Sequence, residues 1–136
     1  MPLNVLIVDD SSVMRAMIIK TIRMSGLDLG DVYQAGNGKE GLSAARENWV
    51  DLVVADINMP VMNGEEMIDQ MKADPELSAL PTIVISTEGS ATRIQRLEKK
   101  GVTFIHKPFT PEIIRDAIQD LTGITGIGDS NESGAF

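Results

Sequence analysis

The sequence contains no cysteine, one histidine and only 4% aromatic residues in 136 positions. Without cysteine, disulfides, thiolate metal sites and cysteine nucleophiles are excluded. A single histidine, His106, also excludes sites built from several histidines. No apolar run approaches the roughly 18 residues of a membrane span, and the first residues have no basic start of a signal peptide. We therefore expect a soluble, cytoplasmic protein.

Positive charge is also scarce, with 12 Lys and Arg against 20 Asp and Glu and a formal net charge of −8. Such a field repels nucleic acid and anionic membranes, so neither is an expected partner. The length corresponds to one domain with its own core, which we place at residues 1–122. Residues 123–136 lack apolar periodicity and are predicted to be a disordered tail or an addition to the natural chain, with no output domain.

Short apolar segments alternate five times with segments of helical periodicity. The predicted strands are residues 5–8, 31–35, 52–55, 82–85 and 102–105. The first predicted helix is capped by Ser11 or Ser12 and ended by Ser25 and Gly26, and the others are residues 40–48, 65–73, 91–100 and 111–121. Strict alternation with continuous apolar strands is typical of an α/β, doubly wound, flavodoxin-like fold. We expect a five-stranded parallel sheet in the order 2-1-3-4-5 with helices on both faces.

Polar residues lie at or just after the ends of four of the predicted strands. They are Asp9, Asp10, Asp56, Asn58, Ser86, Thr87 and Lys107, the last of which is followed by Pro108. In a parallel sheet these positions share one edge, and the order 2-1-3-4-5 brings the three aspartates together. Clustered carboxylates raise one another's pKa unless a cation lies among them, and ligands that are all oxygen favour Mg²⁺. A cation beside a carboxylate, a lysine and a hydroxyl is suited to phosphoryl transfer onto the carboxylate.

Each of these residues alone has a simpler interpretation. Asp9 and Asp10 could be helix caps, Asp56 a turn residue, Lys107 a solvated charge and Ser86 another cap. Only the occurrence of all these residues together, at the ends of four strands, is specific for phosphoryl-transfer chemistry.

Other residues have structural interpretations. We expect Met59 and Met62 to fold back on the core and Trp49 to cover the edge of the core before the third strand.

Four segments of the chain resemble the receiver domain of two-component response regulators, and in particular the stand-alone chemotaxis (CheY-like) type. They are residues 5–11 (VLIVDDS), 56–64 (DINMPVMNG), 85–86 (IS) and 107–109 (KPF). The resemblance extends over about residues 3–121.

The resemblance implies that Asp56 is the site of phosphorylation. It also implies Mg²⁺ ligands in Asp10, Asp56 and the backbone carbonyl of Asn58, with Asp9 acting through water. Lys107 would contact the phosphoryl group, and the bond before Pro108 would be cis.

The sequence departs from the family pattern at two positions of the switch. The aromatic switch residue is Phe104, which lacks the hydroxyl of the tyrosine in many members. Thr87, next to the switch residue Ser86, stands where Ala or Gly is usual, which narrows access to the phosphoryl group. Asn58 and Glu88 resemble the pair that tunes phosphoryl lifetime in chemotaxis members.

The function expected from this resemblance is a Mg²⁺-dependent switch that receives a phosphoryl group from a histidine kinase and is otherwise not an enzyme. We expect a monomer that signals through its fourth helix, fifth strand and fifth helix to a target such as a flagellar motor switch or another regulator, with a phosphatase as a further partner. Arg96, Lys99 and Lys100 favour an acidic target segment.

Several alternatives remain open at this stage. A phosphorelay intermediate or phosphate sink fits the same residues. A haloacid-dehalogenase-like phosphatase is disfavoured because Asn58 stands where that family has an acid. An FMN carrier would have a phosphate-binding loop in place of Asp9 and Asp10, and a transcription factor would need a DNA-binding domain.

Overall fold

The computed structural model describes residues 2–87 and 89–123, which form five strands alternating with five helices. The strands are β1 (Leu3–Val8), β2 (Leu29–Ala35), β3 (Leu52–Ala55), β4 (Thr82–Ser86) and β5 (Thr103–His106). The helices are α1 (Ser12–Met24), α2 (Gly38–Glu47), α3 (Gly64–Ala73), α4 (Ala91–Lys99) and α5 (Pro111–Thr122). The predicted alternation is confirmed.

All strand pairs are parallel and the sheet order is β2-β1-β3-β4-β5, as predicted. β1 and β3 are neighbours in the centre, with Val5 opposite Leu52 and Val8 opposite Ala55. Because the last residues of these two strands are paired, the segments that follow them begin side by side. The register therefore places Asp9 and Asp56 at the same edge of the sheet.

Helices cover both faces of the sheet, which explains why the central strands are continuously apolar. On one face, α1 and α5 pack against the sheet through Ile18, Ile22, Ile114 and Ile118. The other face is covered by α2 and α3 and, nearer β5, by α4. A rigid sheet buried on both sides leaves its carboxyl-terminal edge as the place where polar groups converge.

The side chains that cap the helices are mostly serine, threonine and asparagine. Ser11 Oγ accepts a hydrogen bond from the backbone N–H of Met14 at 3.1 Å and caps α1. Asn63 and Glu66 form a reciprocal capping box at the start of α3. The alternative that Asp9 or Asp10 caps α1 is therefore wrong, and both carboxylates are available for another role.

One expectation about the core edge fails. Trp49 is 79% exposed rather than packed on the core before β3. It lies beyond the end of α2, where its carbonyl oxygen accepts a hydrogen bond from the Asn4 side chain.

Among residues 2–87 and 89–123, no helix has both the length and the apolar character needed to cross a membrane. The predicted tail, except for Gly123, lies outside the described residues.

Candidate functional site

Three aspartates converge at the carboxyl-terminal edge of the central strands. One carboxylate oxygen from each of Asp9, Asp10 and Asp56 lies within 4.8 Å of the others. Asp9 and Asp10 follow β1 and Asp56 follows β3, so the neighbouring positions of these strands create the cluster. The sequence-based prediction that these residues meet is confirmed.

Asp9 is the buried member of the cluster, with 2% of its surface exposed. Its Oδ1 accepts a hydrogen bond from the Ser11 N–H at 2.9 Å, whereas its buried Oδ2 has no hydrogen-bond partner among the described residues. Burial raises the pKa of Asp9, and the charges of Asp56 and Asp10 add to this rise against the opposing effects of the Ser11 N–H and Lys107. The site therefore favours an added positive charge.

The loop after Asp56 is held close to the strand ends. The Asp56 N–H donates to the Val8 carbonyl at 3.0 Å, and the Gly64 N–H donates to the Ile57 carbonyl at 2.7 Å. A Cβ atom at Gly64 would collide with the Asp56 carbonyl oxygen, so only glycine allows this close approach. Asn58 lies exposed in the same loop.

The two methionines of the loop after Asp56 are structural. Met59 and Met62 are partly buried against the core cluster under α2 and α3, as predicted.

Lys107 lies at the end of β5, beside the aspartates. The Lys107 N–H donates to the Ser86 carbonyl at 3.0 Å, and the positive charge of its side chain acts to lower the pKa of Asp9. The peptide bond between Lys107 and Pro108 is cis, as the resemblance implies. Ser86 itself is buried, with 1% of its surface exposed.

The aromatic residue Phe104 lies in β5 opposite Val84 of β4. It is partly buried against the cluster that contains Leu97 of α4. Its ring also meets the His106 ring edge-on, with centroids 4.8 Å apart. Phe104 therefore lies on the strand that leads to Lys107 and packs against the cluster that contains Leu97 of α4.

Of the two other residues assigned to phosphoryl lifetime, Thr87 follows β4 and is exposed, whereas Glu88 lies outside the described residues.

Basic side chains in and just after α4 form ion pairs with α3. Arg96 forms a two-pronged ion pair with Glu65 of α3, with N–O distances of 2.5 and 2.9 Å. Lys100 contacts Glu65 at 3.1 Å and Asp69 at 2.7 Å. Two of the three residues that we expect to favour an acidic target segment thus form ion pairs with α3.

We name Glu65, Asp69, Arg93, Arg96 and Lys100 the Glu65 cluster. Arg93 completes it with an Nε–Oε1 distance of 3.8 Å to Glu65. Hydrogen bonding from Arg96, followed by Lys100, lowers the pKa of Glu65 to about 2 against the opposing effect of burial. Sequence reasoning missed this cluster, although the four-residue spacings of Glu65 and Asp69 and of Arg96 and Lys100 were visible signals.

Sequence reasoning also missed Arg15 of α1. Its Nη1 donates to the Asp9 carbonyl oxygen at 2.6 Å. The acceptor is a backbone atom, so the sequence held no signal for this contact.

The acidic cluster fits a hard divalent cation. Its donors are carboxylate oxygens, which suit Mg²⁺, and the unpartnered Asp9 Oδ2 is a buried acceptor that a cation or its bound water would satisfy. Asp10 is exposed, which leaves the cluster open to solvent on that side. The donor set and the opening therefore match an ion that keeps several waters.

Comparisons with known proteins agree with this geometry. The family described as response regulator receiver domain matches residues 5–119. A chemotaxis protein CheY homologue of Campylobacter jejuni is 36% identical over 129 residues, covering 93% of this chain and 97% of that protein. Chemotaxis protein CheY1 of Helicobacter pylori is 34% identical over 123 residues, covering 89% and 98% respectively.

A solved structure has the same fold. Chemotaxis protein CheY4 of Vibrio cholerae matches with a TM-score of 0.77 and 31% identity, covering 89% of this chain and 99% of that one. The sheet order, the aspartate cluster and this likeness over most of both chains lead to one conclusion: the chain belongs to the response regulator receiver family and is a CheY-like receiver.

Proposed function

We propose that this protein is a Mg²⁺-dependent phosphoacceptor switch of the cytoplasm that receives its phosphoryl group on Asp56 from a histidine kinase. One observation carries the proposal: the three aspartate oxygens within 4.8 Å of one another, with the buried Asp9 Oδ2 unpartnered among the described residues. Such a cluster costs stability in the unliganded protein and is suited to hold a cation.

In the proposed reaction, a carboxylate oxygen of Asp56 attacks the phosphorus of a phosphohistidine. The P–N bond breaks, its electron pair stays on the imidazole nitrogen, and that nitrogen takes up a proton. Asp10, Asp56 and the Asn58 carbonyl would hold Mg²⁺, with Asp9 acting through water. Bound there, the ion would neutralise charge on the phosphoryl oxygens.

In this proposal, Lys107 would contact the phosphoryl group. Its charge already acts on the carboxylate of Asp9, and an ammonium group there would stabilise the added phosphoryl oxygens. Lys107→Ala should therefore still accept a phosphoryl group but change conformation poorly.

We propose that the signal reaches the surface formed by α4, β5 and α5. Ser86 would donate its hydroxyl hydrogen to a phosphoryl oxygen, and the ring of Phe104 would then turn inward beneath α4. The contact of Phe104 with the Leu97 cluster supports this route. Phe104→Ala should weaken target binding while Asp56 phosphorylation stays near normal.

The relatives named chemotaxis proteins favour a target in chemotaxis, such as a flagellar motor switch. With Arg96 and Lys100 engaged by α3, charge no longer argues for an acidic target. The alternative is a receiver that relays or stores phosphoryl groups. Binding of a purified motor-switch peptide only when a phosphoryl mimic is present would support the first function, and phosphoryl transfer onward to a second protein would support the alternative.

The direct test of the acceptor uses acetyl phosphate with Mg²⁺. The wild type should gain one hydroxylamine-labile phosphoryl group, detected by intact mass, and Asp56→Ala should gain none. Asp120→Asn, an exposed aspartate of α5, is the matched control and should label like the wild type. Label retained by Asp56→Ala, or absent from the wild type with Mg²⁺, would refute the proposal.

A further inference from the structure

We call the cluster of Asp9, Asp10 and Asp56 the acidic site. Arg15 connects this site to β2, the edge strand of the sheet. It lies half-buried in α1, and its Nη1 donates to the Asp9 carbonyl oxygen at 2.6 Å. Its Nε donates to the Gln34 Oε1 in β2 at 2.9 Å. One guanidinium group therefore connects the turn between β1 and α1 with β2.

The contact with Arg15 completes the restraint of Asp9. The Asp9 N–H donates to the Ala35 carbonyl at 3.0 Å, and Oδ1 accepts from the Ser11 N–H at 2.9 Å. With its carbonyl oxygen bound to Arg15, Asp9 has a described partner at every polar atom except Oδ2. The residue is fixed on three sides, and its one unpartnered atom is the acceptor suited to the cation site.

Arg15 donates its hydrogen bonds to uncharged oxygens, although the turn before α1 begins with the carboxylates of Asp9 and Asp10. It forms no ion pair among the described residues, since its Nε and Nη1 both donate to uncharged acceptors. A guanidinium lying across the aspartates would compete with a divalent cation, because it neutralises the same charges. The Gln34 side chain holds the guanidinium of Arg15 in an orientation from which it contacts the acidic site only through the backbone of Asp9.

We propose that Arg15 is a positioning residue for the cation site: it fixes the backbone of Asp9 through the carbonyl oxygen, and Gln34 keeps its guanidinium in that orientation. This inference rests on the proposed Mg²⁺ function. Groups that orient metal ligands without touching the metal commonly change metal affinity by about 10- to 100-fold when removed. Arg15 contacts the backbone of Asp9, which by the resemblance would reach the cation only through a water molecule. We therefore expect a change in affinity at the lower end of this range.

The test is a Mg²⁺ titration followed by the amide NMR shifts of Asp9, Asp10 and Asp56. Arg15→Ala should raise the Mg²⁺ dissociation constant about tenfold, and Arg15→Lys, which keeps the charge and one donor, should recover part of the loss. Gln34→Ala should give a smaller increase of about two- to threefold on the same scale. Arg23→Ala, which removes the same charge from an exposed position of α1, should stay within about twofold of the wild type.

Phosphorylation by acetyl phosphate separates positioning from a structural role. In Arg15→Ala the Mg²⁺ concentration for half-maximal rate should rise, while the rate at saturating Mg²⁺ should remain near that of the wild type. A structural role would instead reduce the labelled fraction at every Mg²⁺ concentration and leave the dissociation constant unchanged.

Two outcomes distinguish this inference from the function on which it rests. If the wild type binds Mg²⁺ and Arg15→Ala binds it as tightly as Arg23→Ala, the positioning role is refuted and the proposed function stands. If the wild type binds no Mg²⁺, the proposed function itself fails. Should Arg15→Ala not fold, equal affinities of Arg15→Lys, Gln34→Ala and the wild type would refute the positioning role.

Discussion

The acidic site and the Glu65 cluster both concentrate charged side chains, yet the pKa values of their carboxylates move in opposite directions. In the acidic site, burial and neighbouring aspartates raise the pKa of Asp9. In the Glu65 cluster, hydrogen bonds and charge from Arg96 of α4 and from Lys100, which follows α4, lower the pKa of Glu65 to about 2. The difference lies in the charge of the neighbours, since each carboxylate is largely withdrawn from water.

The two clusters therefore contribute to stability with opposite signs. A carboxylate whose pKa falls on folding stabilises the folded state at neutral pH, and one whose pKa rises destabilises it. The Glu65 cluster fastens α4 to α3, whereas the acidic site carries a cost that a bound cation would remove. Like charges left together without compensation are typical of functional sites.

The largest expected effect comes from breaking the paired cluster. Glu65→Gln should lower the free energy of unfolding at pH 7 by about 2 kcal/mol, allowing for solvent screening of a side chain that is 15% exposed. Because the pKa of Glu65 is about 2 in the folded state and 4.5 is the ordinary value for a glutamate, this stabilisation is complete above pH 4.5. It should disappear as the pH falls from 4.5 through 2.

Urea unfolding of the wild type and Glu65→Gln across this pH range measures the difference. A difference in unfolding free energy that stays constant down to pH 2 would contradict the assigned ion pairs.

A smaller effect of opposite sign is expected in the acidic site. Asp10→Asn should raise the free energy of unfolding in Mg²⁺-free buffer by about 1 kcal/mol, because it removes repulsion of the buried Asp9 charge. The gain should shrink at low pH, since Asp9, with its raised pKa, then becomes protonated in the wild type.

Mg²⁺ should reverse the order of stability of these two proteins. At about ten times its dissociation constant, the ion should stabilise the wild type by about 1.4 kcal/mol and Asp10→Asn far less. Thermal unfolding with and without Mg²⁺ provides the measurement, and equal stabilisation of both proteins would show that Asp10 is not a ligand.

The smallest effect is expected at an isolated surface pair. Arg46 and Asp74 are 3.2 Å apart, with 46% and 20% of their side chains exposed. Arg46→Ala should change the free energy of unfolding by less than about 0.5 kcal/mol, because exposed pairs gain little over hydrated charges. Urea unfolding under the conditions used for Glu65→Gln checks this value. If Arg46→Ala lowered the free energy of unfolding as much as Glu65→Gln does, a carboxylate shared by several cations would stabilise the fold no more than an isolated surface pair.

The sequence predicted the acidic site because the site follows from topology. Residues that end neighbouring parallel strands must meet, so Asp9 and Asp56 could be placed before any side chain was seen. In the Glu65 cluster the four-residue spacings indicated an acidic and a basic helix face, but the pairing of these faces could not be predicted, because it depends on how α3 and α4 pack. Arg15 was missed because a carbonyl acceptor leaves no mark on the sequence. Trp49 was misplaced because an aromatic residue before a buried strand need not itself be buried.

The position of Trp49 has a consequence for spectroscopy. The sole tryptophan precedes β3 whereas Asp56 follows it, so the length of the strand separates the fluorophore from the aspartates. Because its indole is already 79% exposed in the folded chain, its intrinsic emission should change little on ion binding, on phosphorylation or on unfolding. Unfolding is therefore better followed by circular dichroism, and the amide resonances report the occupancy of the acidic edge.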